Sequence, residues 1–412
     1  MQSISSFADK TRYFLDLEEN YGAHNYHPIP VVLNRGEGVH VWDVEGRRFY
    51  DFLSGYSAVN QGHCHPRILA ALMEQAQKLT LTSRAFYNDI LGEYAKFITG
   101  LFGYDKVLPM NTGVEAVETA IKLCRKWGYE VKGISENKAK MIVCSNNFHG
   151  RTSSVISFSS DPTAFNNFGP FMPGFEIIPF NDLDALAKAL QDKNVAGFLV
   201  EPVQGEAGVV VPDDGYLAKA RQYCEDAKAL FIADEIQTGL GRTGKMLACD
   251  HEKVRPDILL LGKALSGGIM PVSAVLADDE IMLTIKPGEH GSTYGGNPLA
   301  CKIAITALSV LKDEKMAENA LTMGELLRNE LAGLNSPHIQ TIRGKGLLNA
   351  IVIQHTKEDA AWDLCLALKD NGLLAKPTHG DKIRFAPPLI ISREQVLDCV
   401  EIINKSLLTL DS

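Results

Sequence analysis

The chain has 412 residues, 45% of them hydrophobic, with 41 basic against 50 acidic side chains and a net charge of −9. That length and apolar content support a large buried core with a smaller domain beside it. The acidic balance and the lack of a Lys/Arg run argue against nucleic acid or anionic membrane as partners, and no apolar stretch approaches the roughly 20 residues of a membrane span.

The first ten residues, Met1 to Lys10, lack the apolar centre of a secretory signal and the Arg-rich, acid-poor character of a transit peptide. A cytoplasmic protein is expected. Residues 1–56 read as an N-terminal arm, with small hairpins at Gly36-Glu37-Gly38 and Val44-Glu45-Gly46-Arg47-Arg48. His63-Cys64-His65 has the look of a metal motif, but adjacent ligands do not easily converge on one ion and no second cluster completes a site. It is expected to be a loop before Pro66, and no metal is expected. The eight cysteines contain no CxxC pair, so neither a disulfide framework nor a zinc ribbon is indicated.

Residues 57–313 read as a large domain. From about residue 106, short apolar runs alternate with helical patterns: Lys106 to Met110, Lys140 to Cys144, Val195 to Val200, Ala229 to Ala233 and Asp257 to Leu261. The alternation predicts an α/β fold, a mostly parallel sheet covered by helices. Residues 314–412, with one long helical pattern and the runs Leu347 to Ile353 and Lys382 to Ala386, read as a smaller α+β domain.

Polar motifs fall where the predicted strands end, which is where such sheets place their chemistry. Met110-Asn111-Thr112-Gly113-Val114-Glu115 enters a helix, and its backbone N–H groups either face an anion or form an ordinary turn. In Asn147-Phe148-His149-Gly150-Arg151, Phe148 is a stacking partner for a flat ligand or a core residue. Arg151 is a carboxylate fork or a surface ion-pair partner. Glu201-Pro202-Val203-Gln204-Gly205-Glu206 puts two carboxylates on one loop, one of them expected to tie down backbone or a basic neighbour. Asp234-Glu235-Ile236-Gln237 closes one apolar run, and Gly262-Lys263-Ala264 closes the next. Gly291-Ser292-Thr293-Tyr294 supplies a small-residue turn with hydroxyls. Burial lowers a lysine pKa and frees its amine as a nucleophile. A carboxylate at one strand end with a lysine at the next is what pyridoxal phosphate requires.

The segment from Leu230 through Asp234, Gln237, Gly241-Arg242-Thr243-Gly244 and Gly262-Lys263-Ala264-Leu265-Ser266-Gly267-Gly268 resembles the class-III pyridoxal-phosphate aminotransferases of fold type I. The resemblance runs from Tyr21 to the final helix. Tyr21 to Pro28, Leu53 to His63 and Lys376 to Asp381 further resemble the members of that family that act on ornithine.

The resemblance implies that Lys263 carries the cofactor aldehyde and moves protons, and that Asp234 pairs with the pyridinium nitrogen. Phe148 and Ile236 would cover the two ring faces, and Gln237 would bond the phenolic oxygen. Gly113 and Val114 would hold the phosphate. Thr293 would reach the phosphate of a neighbouring subunit, which requires at least a homodimer. Tyr26 and Arg151 would hold the substrate's far carboxylate, with Tyr56 shaping the space between. Glu206 would neutralise Arg384 while ornithine is bound and release it for 2-oxoglutarate. The alternatives are donors such as acetylornithine or 4-aminobutyrate on the same fold, or a cofactor-binding regulator without turnover.

Overall fold

The computed structural model describes residues 8–411; the first seven residues of the segment read above for targeting signals lie outside it. After a helix over Asp9–Tyr21 come three antiparallel strands, β1 (Leu33–Glu37), β2 (His40–Asp43) and β3 (Arg48–Asp51). The second turn forms because Asp43 Oδ1 accepts the N–H groups of Glu45 and Arg47 at 3.0 and 2.8 Å, with Gly46 at φ 87°.

The large sheet holds β4 (Lys106–Met110), β5 (Lys140–Cys144), β6 (Phe175–Ile178), β7 (Val195–Val200), β8 (Leu230–Asp234), β9 (Ile258–Leu261) and β10 (Ser273–Ala277), in the order β4-β10-β9-β8-β7-β5-β6. Neighbours from β6 to β9 run parallel, while β10 is antiparallel to both β9 and β4. The reversal follows from the connection: the chain turns back after Lys263–Ser266 instead of crossing over through a full helix. Every residue of β7, β8 and β9 is buried. Alternate side chains serve opposite faces. Leu199 and Ile232 pack with Ala116 and Leu123 of the helix Gly113–Glu130, and Phe198 and Phe231 pack with Leu217 and Ala220 of the helix Tyr216–Asp226.

A helix over Pro298–Asp313 packs back on the helices Pro66–Lys78 and Leu91–Phe102, and the C-terminal part then has a helix over Met316–Gly333, β11 (Ile339–Lys345), β12 (Leu348–Ile353), β13 (Leu373–Leu374), β14 (Lys376–Thr378) and β15 (Lys382–Phe385). Its sheet has the order β11-β12-β15-β14. The short β13 leaves that sheet and pairs in parallel with β3, so the N-terminal strands and the C-terminal region share a four-stranded sheet.

Arg242, in the turn after β8, is completely buried. Its guanidinium donates to Leu347 O at 3.0 Å, Pro387 O at 2.6 Å and Asn60 Oδ1 at 2.5 Å. Burial, reinforced by the nearby charge of Arg384, lowers its pKa to about 9. It thereby joins the large sheet's loops to the C-terminal part.

Candidate active site

The helix Gly113–Glu130 starts with a reciprocal cap. Thr112 Oγ1 accepts the Glu115 N–H at 3.4 Å, and Glu115 Oε2 accepts the N–H groups of Thr112 and Asn111 at 2.7 and 2.9 Å. The N–H groups of Gly113 and Val114 precede any carbonyl the helix can offer them and sit at its positive end. Gly113 also admits Ile236, which would lie 3.1 Å from a Cβ there.

After β5, Asn147 Nδ2 donates to Cys144 O at 2.6 Å and Phe158 O at 3.0 Å, fixing the loop that carries Phe148, His149 and Arg151. Gly150, at φ 126°, lets this loop close on Val114, which a Cβ would approach to 2.4 Å. The Phe148 N–H donates to Glu201 Oε1 at 2.8 Å. Buried Glu201 has its pKa pushed up to about 7 by desolvation. His149 Nδ1 lies 2.7 Å from Asp234 Oδ2, both side chains buried, and Asp234 Oδ1 accepts the Ile236 N–H at 3.1 Å. Burial alone would lower the His149 pKa; its hydrogen bond and charge attraction to Asp234 outweigh that and raise it.

Lys263 stands at the end of β9 with φ 45°, and burial lowers its pKa. Gly113, Val114, Phe148, Asp234, Ile236 and Lys263 line one cavity of ≈ 190 Å³, completed by Gln237 and Glu206. A second cavity of ≈ 180 Å³ shares Phe148, His149 and Glu206 and extends to Arg151.

Around this floor stands a wall of charge. Arg384 on β15 is buried and donates to Glu206 Oε1 at 2.6 Å. Gln237 Nε2 donates to the same oxygen at 3.1 Å. Burial would raise the Glu206 pKa, but Arg384 and Lys263 hold it below the usual range. The Tyr56 ring lies 5.3 Å from the Arg384 guanidinium carbon, and Arg151 lies 5.7 Å from the Phe148 ring. Burial and then the charge of Glu206 raise the Tyr56 pKa, and both Tyr26 and Arg151 are near enough to act on it. Tyr26 itself is 64% exposed. Thr293 is exposed and lines neither cavity.

These residues fit pyridoxal phosphate. Asp234 would present its carboxylate to a ring nitrogen, Gly113 and Val114 at the helix N-terminus would offer N–H groups to a phosphate, and Lys263 lines the same cavity. Gln237 lines the same cavity, its Nε2 donating to Glu206 Oε1 at 3.1 Å and its Oε1 buried without a partner among the described residues. Its close seat depends on Gly205, where a Cβ would fall 1.5 Å from that oxygen.

Two residues of the site escape the sequence reading. His149 lies inside a motif where Phe148 and Arg151 draw the attention, and Glu201 is assigned only as one of two loop carboxylates. A signal exists for Glu201: it directly follows the wholly apolar β7, and a polar side chain buried with such a strand needs a partner, whereas His149 stands five residues past β5 and carries no such local signal.

The Aminotransferase class-III family profile matches residues 21–407. Ornithine aminotransferase, mitochondrial, of Rattus norvegicus is 66% identical over 97% of this chain and 91% of its own length. A solved ornithine aminotransferase from Toxoplasma gondii superposes with a TM-score of 0.96 at 51% identity, covering 97% of this chain and 95% of that one. An acetylornithine aminotransferase from Elizabethkingia anophelis gives a TM-score of 0.89 at 60% identity, covering 97% and 99%. With its fold, its lysine and carboxylate at adjacent strand ends and these matches, the chain belongs to the class-III aminotransferase family.

Proposed function

We propose that this chain transfers the δ-amino group of L-ornithine to 2-oxoglutarate, giving glutamate and glutamate 5-semialdehyde, which cyclises to pyrroline-5-carboxylate. The observation that carries the reading is the Glu206–Arg384 pair, 2.6 Å apart in the cavity wall. An unpaired arginine beside the cofactor would capture any α-carboxylate and present the α-amine. Paired with Glu206, it leaves ornithine's carboxylate to Arg151 and Tyr26 at the far end, so the δ-amine reaches Lys263. When 2-oxoglutarate enters, Arg384 turns from Glu206 to its α-carboxylate by a bidentate grip.

The family's cofactor is pyridoxal 5′-phosphate, which supplies an electron sink for the charge left on the substrate carbon. Asp234 keeps the ring nitrogen protonated, and His149 holds Asp234 in place. Lys263, with burial favouring its neutral amine, takes and returns the proton at the substrate carbon. Phe148 and Ile236 would cover the ring faces, Gln237 would bond the phenolic oxygen, and Gly113 and Val114 would hold the phosphate.

Thr293 completes the phosphate site of a second copy in a homodimer. Supporting this, Thr293 is exposed next to Tyr294, itself 56% exposed. Sedimentation tests the dimer, and Thr293→Ala should then loosen the cofactor. The cytoplasm is the proposed compartment: all eight cysteines are free, as reducing surroundings require, and fractionation checks it. Among the described residues no helix is long and apolar enough to cross a membrane.

The 60% identical Elizabethkingia structure keeps a second reading open, acetylornithine as donor. A screen of ornithine, N-acetylornithine and 4-aminobutyrate against 2-oxoglutarate decides between them. Ornithine should give the highest kcat/KM; a preference for either other donor sinks the assignment.

A further inference from the structure

The left-handed region of backbone conformation is disfavoured for every residue but glycine, because Cβ crowds the following carbonyl. Four consecutive residues occupy it here: Ser54 at φ 48°, Gly55 at 56°, Tyr56 at 61° and Ser57 at 70°. Only one is glycine. Such strain persists where the surroundings over-determine it, and it gathers at functional sites. The turn's own hydroxyls do not hold it: Ser54 Oγ and Ser57 Oγ are buried without partners among the described residues.

The restraint comes from both ends. Upstream, Asp51 Oδ1 accepts the N–H groups of Leu53 at 2.9 Å and Ser54 at 2.8 Å, and Asp51 Oδ2 lies 2.8 Å from His63 Nε2. His63 is itself fixed by paired backbone bonds with Gly38, at 2.8 and 3.0 Å. Its ring lies so close to Gly36 that a Cβ there would stand 2.8 Å from it. Downstream, Gln61 Nε2 donates to Ala264 O at 3.0 Å, next to Lys263. Between these anchors the turn can present Tyr56 in one direction, toward Arg384, 5.3 Å from its ring.

We propose that Asp51 and His63 are positioning residues for donor choice: together they hold the left-handed turn that aims Tyr56 at Arg384. The inference rests on the proposed function only in taking Tyr56 and Arg384 as the selective wall. His63, set in a motif that resembles a metal site, acts through a carboxylate and not through an ion.

A double-mutant cycle on the cofactor-loaded enzyme tests it, reading the ratio of kcat/KM for ornithine to that for glutamate. Asp51→Ala should lower this ratio about tenfold, mainly through a higher KM for ornithine, and Tyr56→Ala should lower it similarly. The double variant should match Tyr56→Ala alone, because Asp51 acts through Tyr56. The visible spectrum of bound cofactor should stay as in the parent. Where Asp51→Ala does not fold, His63→Gln replaces it, since it leaves both backbone bonds to the Asp51 carboxylate in place. Losses that multiply in the double variant, or a ratio unmoved by either change at Asp51 or His63, would overturn the proposal. A parent enzyme that ignores ornithine would instead overturn the donor assignment, and the cycle is then run with whichever terminal-amine donor the parent prefers.

Discussion

Asp234, His149 and Lys263 stand at or just beyond the ends of strands in one sheet, while Tyr26, Tyr56, Arg151, Glu206 and Arg384 come from an arm, a strained turn, two loops and a strand of another sheet. The first group is set by a core in which β7, β8 and β9 are buried throughout. The second keeps its geometry only while separate pieces of the molecule hold their places. Chemistry that every member of such a family shares belongs on the rigid floor. Preference between donors belongs on the composite wall, where small shifts alter one substrate more than another.

Substitutions on the floor should abolish turnover whatever the donor. Lys263→Ala should retain cofactor through the phosphate contacts yet lose turnover by several orders of magnitude, since nucleophile and proton carrier go together. Borohydride reduction and peptide mapping check the assignment, and label on any other lysine would contradict it. Asp234→Asn should weaken transition-state stabilisation by about 3–5 kcal/mol, leaving His149 without its charged partner. A near-normal kcat in that variant would remove Asp234 from the floor.

The same floor should show itself in stability against pH. The Glu201 carboxyl sits at about 7 in the folded chain against an ordinary 4.5, so folding favours its protonated form. Its contribution is therefore complete below pH 4.5 and is lost as pH rises toward 7. Glu201→Gln should remove this decline, raising stability relative to the parent above pH 7 by up to about 3 kcal/mol, with no gain at low pH. Melting curves across that range measure it; parallel curves for both proteins would refute it.

The smallest effect tests the wall. Glu206→Ala frees Arg384 for any α-carboxylate, so glutamate should react better and ornithine worse. The ratio of their kcat/KM values should shift about tenfold, roughly 1.4 kcal/mol. A ratio equal to the parent's would reduce the pair to a structural tie. Melting must be checked first, because an unpaired buried arginine also destabilises.

The floor was largely legible in the chain. Apolar runs ending in Asp234 and Lys263 announce both the strands and their chemistry, because a continuous buried strand has a local pattern. The run Ser273 to Ala277 was not assigned, since nothing in it says that the chain doubles back beside β9. The two-residue β13 carries no periodicity at all. Of the wall, Arg151 and Glu206 stand out in strand-end motifs, while Tyr26, Tyr56 and Arg384 were visible only through family resemblance, because they share no local pattern and the contact of Tyr56 with Arg384 joins residues far apart in the chain. The left-handed turn was hidden for another reason. Ser54-Gly55-Tyr56-Ser57 holds one glycine, and its conformation is imposed from Asp51 and His63 outside it.

The burial of Arg242 also sets an order of events during synthesis. Its guanidinium is satisfied by carbonyls of Leu347 and Pro387, which are made more than a hundred residues after it. Until that part of the chain has left the ribosome, the loop after β8 carries a charge that water must cover. The nascent chain can assemble the seven-stranded sheet early, but this corner closes last. A chain truncated before residue 347 should therefore be cut by proteases near Arg242 while its central sheet resists, a pattern readable by limited proteolysis of stalled products.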